Sequence, residues 1–135
     1  MSHSIVIFGA SGDLTSRKLV PALFELYRKK RLSEPIRIVG FSRTPLEHDA
    51  WRNRLAESTA QFVGETFDAS AWESFAPTIS YHPGDINRPD DFRSLGMLLD
   101  ELEGGDASTR VYYLATAPRF YEPAIAHLGQ AGLAD

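Results

Sequence analysis

The sequence contains no cysteine, which excludes disulfide bonds and any metal site built from thiolates. It also has no long hydrophobic run. The first apolar segment, residues 5–8, is ended by Gly9 and is far too short for a signal-peptide core or a membrane span. We therefore expect a cytoplasmic protein with no metal and no membrane partner.

Positive charge is not in excess either. The formal net charge is −4, from 14 lysines and arginines against 18 acidic residues. This balance argues against nucleic acid as a partner, because phosphate backbones select basic surfaces. Hydrophobic residues make up 43% and charged residues 24% of the 135 residues, as in ordinary globular proteins. One domain, residues 1–135, accounts for this length.

Four short apolar runs, residues 5–8, 36–41, 79–81 and 111–115, alternate with longer segments of helical periodicity. Most of the runs lack polar alternation, which is typical of strands covered on both faces. The order predicts an α/β fold: a Rossmann-like doubly wound parallel sheet in a three-layer α/β/α arrangement. Such a sheet would next add a fifth strand. We therefore expect a truncated domain whose fourth strand is an exposed, self-associating edge.

The helical segments carry specific expectations. In residues 16–32, Pro21 should kink the helix unless the regular part starts only a few residues earlier. Residues 44–47, Thr-Pro-Leu-Glu, read as a capping box before a helix with Trp51, Leu55 and Phe62 on its buried face. Further helices are predicted after Asp68, over residues 89–103, and over residues 118–133. In the last of these, the predicted buried residues are Tyr121, Ile125 and Leu128.

A glycine-containing turn follows the first predicted strand. Residues 9–14 read Gly-Ala-Ser-Gly-Asp-Leu and lead directly into a helix. Small residues allow the tight turn and let a diphosphate approach the backbone N–H groups at the positive end of the helix dipole. The spacing is G-x-x-G, with Ser11 where the common fingerprint has its second glycine. The turn therefore predicts a dinucleotide site, and the alternative is a structural turn without a ligand.

The end of the second predicted strand distinguishes two dinucleotides. Ser42-Arg43-Thr44 follows this strand, and no acidic residue occurs before Glu47. An acidic residue here would bind the free ribose 2′-hydroxyl of NAD, whereas an arginine accepts the 2′-phosphate of NADP. The pattern favours NADP, with Ser42 and Thr44 as further hydroxyl donors. The alternative is an ordinary solvated arginine.

Residues 5–26, IVIFGASGDLTSRKLVPALFEL, resemble the opening of the glucose-6-phosphate dehydrogenase family, which carries the motif GASGDLxx[KR]KLxPxL. In this comparison Pro21 is a family feature. Residues 38–44 (IVGFSRT) resemble the family's I-[VI]-G-x-[AG]-R segment. Residues 81–86 resemble the end of its third strand, and residues 111–121 resemble its [IV]-[FY]-Y-[LM]-[AS]-x-[AP]-P segment. The similarity spans essentially the whole chain.

The resemblance implies a set of NADP-binding residues. By this comparison residues 9–17 line the diphosphate and Arg43 holds the 2′-phosphate. Asp85 and Ile86 lie by the adenine, and residues 114–118 lie near the ribose and nicotinamide. In full, the implied cofactor-binding residues are Gly9, Ala10, Ser11, Gly12, Asp13, Leu14, Thr15, Ser16, Arg17, Arg43, Asp85, Ile86, Leu114, Ala115 and Pro118. Lys18 matches a family lysine that reaches towards the sugar phosphate, and its alternative is an exposed surface lysine.

The resemblance also implies the reaction. The family oxidises glucose 6-phosphate to 6-phosphogluconolactone with reduction of NADP, in the oxidative pentose phosphate pathway. Its histidine base and its α+β substrate domain lie beyond Asp135. None of the four histidines here stands in a motif like that base, so no catalytic residue is assigned. We expect the chain alone to bind NADP without turnover, and the full-length enzyme to bind glucose 6-phosphate and to form a homo-oligomer.

Three other interpretations remain open. One is a stand-alone, non-catalytic NADP-binding module, which would carry the same turn and the same Arg43. Another is an unrelated NADP-dependent epimerase or reductase, although no tyrosine here has the lysine four residues later that such enzymes carry. The third is a purely structural interaction domain.

Overall fold

The computed structural model describes residues 2–12, 14–31, 36–105 and 108–133. Four strands form one parallel sheet in the order β3-β2-β1-β4. The strands are β1 (Ser2–Phe8), β2 (Ile36–Ser42), β3 (Ile79–Pro83) and β4 (Ser108–Leu114). The predicted α/β fold with a parallel sheet is confirmed, and the second and third strands run one or two residues further than predicted at the end where the crevice lies.

Helices cover both faces of this sheet. They are α1 (Val20–Arg28), α2 (His48–Val63), α3 (Ala69–Phe75), α4 (Pro89–Glu103) and α5 (Tyr121–Gln130). Side chains of β1 alternate between two cores, with Ile7 facing α1–α3 and Val6 and Phe8 facing α4 and α5. The three-layer arrangement is therefore confirmed.

The strand order creates a crevice. From β1 the chain adds β2 and then β3 on one side, and it returns to place β4 on the other side of β1. In open parallel sheets, ligands bind outside the carboxyl ends of the strands at the point where the order reverses. Here that point lies after Phe8 of β1 and Leu114 of β4, which are paired in register.

Pro21 shapes the start of the first helical segment. Residues Thr15–Leu19 form a π-helical turn, closed by a hydrogen bond from the Val20 N–H to the Thr15 carbonyl. The regular helix α1 then begins at Val20, so Pro21 lies in its first turn and directly follows the π-helical turn. The condition under which no kink is expected is therefore met, because the regular helix starts only one residue before Pro21. Helix α1 ends at Arg28, earlier than predicted, and Lys30 follows with φ +58°.

The capping box predicted at residues 44–47 is wrong. Helix α2 begins at His48 with Glu47 as its N-cap residue, and no side chain caps it. The Thr44 hydroxyl donates to Ser11 instead, so a tertiary contact has replaced the local one. Trp51 and Leu55 are buried as predicted, but Phe62 is 46% exposed. The prediction at Asp68 is confirmed, because its carboxylate accepts the Ala71 N–H at the start of α3.

The last two helices show how packing selects a face. Helix α4 occupies the predicted residues and ends at Gly104 in the left-handed conformation. The segment predicted over residues 118–133 is a short 3-10 turn, Pro118–Phe120, followed by α5. Ala124 and Leu128 form its buried face, whereas Tyr121 and Ile125 are 38% and 61% exposed, so their predicted burial is wrong.

Strand β4 lies at an edge of the sheet, and its Val111 and Tyr113 are 48% and 43% exposed. The predicted exposed edge is therefore present among the described residues, while self-association stays a prediction. No helix in the described ranges is long and apolar enough to cross a membrane.

Candidate functional site

The glycine turn packs directly against the exit of β4. Gly9 has φ +88°, and its N–H donates to the Phe41 carbonyl at 2.9 Å. A Cβ at this position would lie 2.3 Å from the Ala115 carbonyl oxygen and 3.0 Å from Cγ2 of Thr116. Both the backbone angle and the close approach therefore require glycine.

Hydrogen bonds within the turn fix its shape. The Ala10 N–H also points at the Phe41 carbonyl, at 3.3 Å, and the Gly12 N–H donates to the Gly9 carbonyl at 3.0 Å. The Thr15 hydroxyl is buried and donates to the same Gly9 carbonyl at 3.1 Å. The N–H groups of Gly9 and Ala10 thus tie the turn to β2, and that of Gly12 closes the turn itself. The Ser11 N–H has no hydrogen-bond partner among the described residues, so it is available as a donor.

Hydroxyl groups join the glycine turn to the end of β2. The Oγ atoms of Ser11 and Ser42 lie 2.7 Å apart. The Thr44 hydroxyl donates to Ser11 Oγ at 3.0 Å, and the Thr44 N–H donates to Ser42 Oγ at 3.2 Å. We call Ser11, Ser42 and Thr44 the hydroxyl cluster. Because each member can turn its proton, the cluster can present donors or acceptors to a polar ligand.

The crevice beside the hydroxyl cluster has a volume of about 250 Å³. Its walls come from the segments that follow all four strands. The lining residues are Gly9, Ser11, Phe41, Ser42, Arg43, Thr44, Gly84, Asp85, Ile86, Thr116 and Phe120.

Arg43 is exposed at one wall of this crevice, between Ser42 and Thr44. Within the described ranges, no salt bridge or hydrogen bond engages its guanidinium. Its five N–H donors are thus available to an anion.

Another wall is the loop after β3, whose Gly84 N–H binds the Ser42 carbonyl at the end of β2. The Asp85 N–H donates to the Asp91 carboxylate at 2.8 Å, and the Asp85 carboxylate accepts the Asn87 N–H at 2.8 Å. His127 Nδ1 lies 2.7 Å from the Ile86 carbonyl. Because a carbonyl only accepts, Nδ1 carries the proton there. Helices α4 and α5 thus hold this wall in place.

Phe41, which lines the crevice, is supported by His82. The His82 ring stacks on Phe41 with centroids 5.4 Å apart, and its Nε2 lies 2.9 Å from the Ser94 hydroxyl. Burial lowers the pKa of His82, so the ring is favoured in its neutral form. This histidine therefore packs beneath the site and does not line it.

The structure brings together some of the predicted residues. Gly9, Ser11, Arg43, Asp85 and Ile86 all line the crevice. Ala10 is 1% exposed, and its carbonyl accepts the Trp51 indole N–H at 3.3 Å, so its side chain does not reach the cavity. Asp13 lies outside the described residues.

Other predicted residues do not line the crevice. Leu114 and Ala115 pack against the two cores, and Pro118 is exposed in the 3-10 turn after β4. Gly12, Leu14, Ser16, Arg17 and Lys18 continue along the glycine turn and the first helical segment. Among these, Arg17 lies over the Phe62 ring at 5.4 Å from its centroid.

Sequence reasoning missed several lining residues. Phe41, Gly84 and Phe120 line the crevice. The sequence predicts Phe41 only as part of a strand and predicts no binding role for Gly84 or Phe120. Gly84 had a detectable signal, since it follows the third strand as Gly9 follows the first. A Cβ there would lie 2.6 Å from the Phe41 ring. No group of three or more potential metal ligands occurs in the described part of the chain.

The family model described as "Glucose-6-phosphate dehydrogenase, NAD binding domain" matches residues 6–135. The glucose-6-phosphate 1-dehydrogenase of Chlamydia muridarum is 36% identical over 129 residues, which are 93% of this chain and 25% of that protein. The Schizosaccharomyces pombe enzyme of the same name is 39% identical over 117 residues, 85% of this chain and 23% of that protein. The chain therefore spans about a quarter of the length of these relatives.

Solved structures agree with this likeness. Glucose-6-phosphate 1-dehydrogenase from Mycobacterium avium superposes with a TM-score of 0.87 at 29% identity, over 100% of this chain and 28% of that one. A glucose-6-phosphate dehydrogenase in complex with its substrate glucose 6-phosphate gives a TM-score of 0.86 at 30% identity. It covers 96% of this chain and 27% of that one.

Proposed function

Because this chain belongs to the glucose-6-phosphate dehydrogenase family, as its NAD-binding domain, we propose that its crevice binds NADP. Membership supports a nicotinamide dinucleotide as the ligand. The preference for NADP over NAD is carried by one observation: Arg43 stands exposed at the end of β2, beside the hydroxyl cluster. Proteins that bind NAD place an acidic residue at this point.

In this proposal the adenosine 2′-phosphate lies between Arg43 and the hydroxyl cluster. A guanidinium offers paired N–H donors that match two phosphate oxygens, and this bidentate contact is among the stronger hydrogen bonds in proteins. Ser11 and Thr44 add hydroxyl donors from two different segments. The guanidinium suits a phosphate better than a bare ribose hydroxyl, because it can only donate hydrogen bonds and its charge is opposite to that of a phosphate.

The diphosphate is proposed to lie along residues 9–17. The available Ser11 N–H and the start of the helical segment supply an electropositive edge. Ala10, Gly12, Thr15 and Ser16 would act here mainly by shaping the backbone. Asp13, Leu14 and Arg17 keep the roles that the family resemblance implies.

The two ends of the dinucleotide are proposed to lie on opposite walls. The adenine packs by Asp85 and Ile86, and the ribose and nicotinamide lie by Leu114, Ala115 and Pro118. Thr116 and Phe120 of the same loop line the cavity and join this group. Lys18 is proposed to reach towards the phosphate of the sugar substrate.

For the whole protein we propose the reaction of its relatives, oxidation of glucose 6-phosphate to its lactone with reduction of NADP in the oxidative pentose phosphate pathway. The nicotinamide supplies the hydride chemistry when bound, and the residues of this chain bind and orient it. We place this activity in the cytoplasm and in a homo-oligomer, as expected from the sequence.

The decisive test compares NADP and NAD by calorimetry with Arg43→Ala. Loss of a charge-assisted contact costs roughly 1.5–3 kcal/mol, so NADP affinity should fall at least about tenfold while NAD affinity stays nearly unchanged. Arg93→Ala is the matched control, because Arg93 is an exposed arginine that pairs with Asp90 on α4. Equal affinity of the wild-type chain for both dinucleotides would refute the proposed preference.

A stand-alone NADP-binding module is the second candidate for the chain by itself. None of its histidines lines the crevice among the described residues, and a positioned base is worth about 10²–10⁴-fold in rate. We expect the 135-residue chain to produce no NADPH from glucose 6-phosphate. Measurable, substrate-dependent NADPH formation by the purified chain would contradict this expectation.

A further inference from the structure

The backbone on either side of Arg43 is anchored by a neighbouring strand. Tyr81 of β3 is 3% exposed, and its hydroxyl donates to the Thr44 carbonyl at 2.6 Å. The same hydroxyl lies 3.5 Å from the Ser42 carbonyl, at the limit of a hydrogen bond. One phenol thus contacts the carbonyl groups of both residues that flank Arg43.

Tyr81 is itself held rigidly. Its ring packs on Trp51 with centroids 5.3 Å apart, and its backbone N–H donates to His48 Nδ1 at 2.8 Å. Burial raises the pKa of Tyr81, so the hydroxyl keeps its proton and remains a donor at neutral pH. The anchor is therefore a fixed donor on a packed ring.

Other groups also hold residues 42–44, but the Thr44 carbonyl is left to Tyr81. The Gly84 N–H donates to the Ser42 carbonyl at 2.8 Å, and Ser42 Oγ accepts the Thr44 N–H. In the described structure only the Tyr81 hydroxyl binds the Thr44 carbonyl, and Tyr81 does not line the crevice. Its hydroxyl, which binds the Ser42 and Thr44 carbonyls, can thus affect a ligand only through residues 42–44.

We propose that Tyr81 is a positioning residue that sets the preference for a 2′-phosphorylated dinucleotide. By fixing the carbonyl groups of Ser42 and Thr44, its hydroxyl holds Arg43 and the Thr44 hydroxyl towards the crevice. The inference rests on the proposed function, since it concerns the same 2′-phosphate. It assigns specificity to a side chain that the ligand never touches.

The test is Tyr81→Phe, which removes the donor and keeps the ring. A net hydrogen bond is worth about 0.5–1.5 kcal/mol, so NADP affinity should fall by about 2- to 12-fold, with NAD affinity changed by less than about twofold. The matched control is Tyr112→Phe. Tyr112 also donates its hydroxyl to a backbone carbonyl at 2.6 Å, that of Leu133, on the face of the sheet covered by α4 and α5.

A double-mutant cycle with Arg43→Ala shows whether Tyr81 acts through Arg43. If it does, Tyr81→Phe causes a smaller loss of NADP affinity in the Arg43→Ala background than in the wild type, and the remainder is the part carried by the Thr44 hydroxyl. A merely structural role would weaken both dinucleotides equally, or lower the unfolding midpoint and leave the NADP-to-NAD ratio unchanged. Either result, or additive losses in the cycle, overturns the inference while leaving the proposed function intact. A wild-type chain that binds neither dinucleotide overturns both.

Discussion

The Oγ atoms of Ser11 and Ser42 lie 2.7 Å apart although 31 positions separate them in the sequence. One belongs to the turn after β1 and the other ends β2. Their contact closes the crevice at the point where the strand order brings these two segments together. The hydroxyl cluster therefore links the diphosphate and 2′-phosphate parts of the proposed site, and changes to it should alter specificity more than stability.

Ser42→Asp is expected to reverse the dinucleotide preference. A carboxylate at this position would accept from a free 2′-hydroxyl and repel a 2′-phosphate. We expect NADP affinity to fall by at least about tenfold and NAD affinity to be kept or improved, as measured by calorimetry. Ser70→Asp, at an exposed position in α3, is the control for added charge. Unchanged NADP binding in Ser42→Asp would place the 2′-phosphate elsewhere.

Gly9→Ala should destabilise the fold more than Gly104→Ala. Both glycines have positive φ, +88° and +60°, so both substitutions carry backbone strain of about 1–2 kcal/mol. Only at Gly9 does the new Cβ meet a backbone atom, the Ala115 oxygen at 2.3 Å, while nothing lies within 4 Å at Gly104. Urea unfolding of the two variants isolates the effect of the clash. Equal losses would mean that the turn can move away from β4.

Glu103→Gln is expected to cost roughly 1.5–3 kcal/mol at neutral pH, because charge-assisted hydrogen bonds are lost. The Glu103 side chain is 7% exposed and accepts from Arg110 at 2.7 and 3.0 Å and from Ser4 at 2.9 Å. Asp90→Asn is the control, because its pair with Arg93 is exposed and contributes little. Similar losses in both variants, measured by denaturant unfolding, would contradict the prediction.

The same contact predicts an acid-dependent loss of stability. Hydrogen bonds from Arg110 lower the pKa of Glu103 below its ordinary value of 4.5. The stabilisation is therefore complete above pH 4.5 and is lost as the pH falls through the lowered pKa. The free energy of unfolding of Glu103→Gln should accordingly depend less steeply on pH below 4.5 than that of the wild type. Parallel pH profiles would show that Glu103 titrates normally in the folded chain.

The pKa of His82 should lie below the ordinary histidine value of 6.5, because burial disfavours the charged form of the ring. The unfolded chain binds this proton more readily than the folded one. Stability should therefore decline as the pH falls from 6.5 towards the lowered pKa, and it is fully present above 6.5. An NMR titration of the ring resonances measures this directly, and His82→Gln identifies them. A midpoint at or above 6.5 would contradict the burial of His82 against Phe41.

Much of this protein follows from local sequence. Apolar runs with β-branched residues predicted the four strands, and the alternation with helices predicted a parallel sheet. Asp68 and Gly104 were recognised as helix ends because a cap or a left-handed glycine acts within one turn of chain. Arg43 was found for the same reason, since its position directly after a strand is a local feature.

Other features depended on contacts between distant segments. Thr44 has the sequence of a helix cap, but α2 begins only at His48. The Thr44 hydroxyl donates to Ser11 Oγ instead. Tyr121 and Ile125 fit a helical stripe, yet α5 turns Ala124 and Leu128 to the sheet because the second core fixes its rotation. Tyr81 gave no local signal, since its partners Ser42 and Thr44 belong to another strand exit.

The sequence by itself determined the order of elements, the glycine at the first turn and the cation after the second strand. These depend on backbone angles and side-chain chemistry that act over a few residues. Tertiary structure alone decided which hydroxyls meet at the crevice, which N–H groups remain available there, and which buried phenol binds the carbonyl groups on either side of Arg43. The reason is that hydrogen bonds are short and directional, so their partners exist only once the strands are placed side by side.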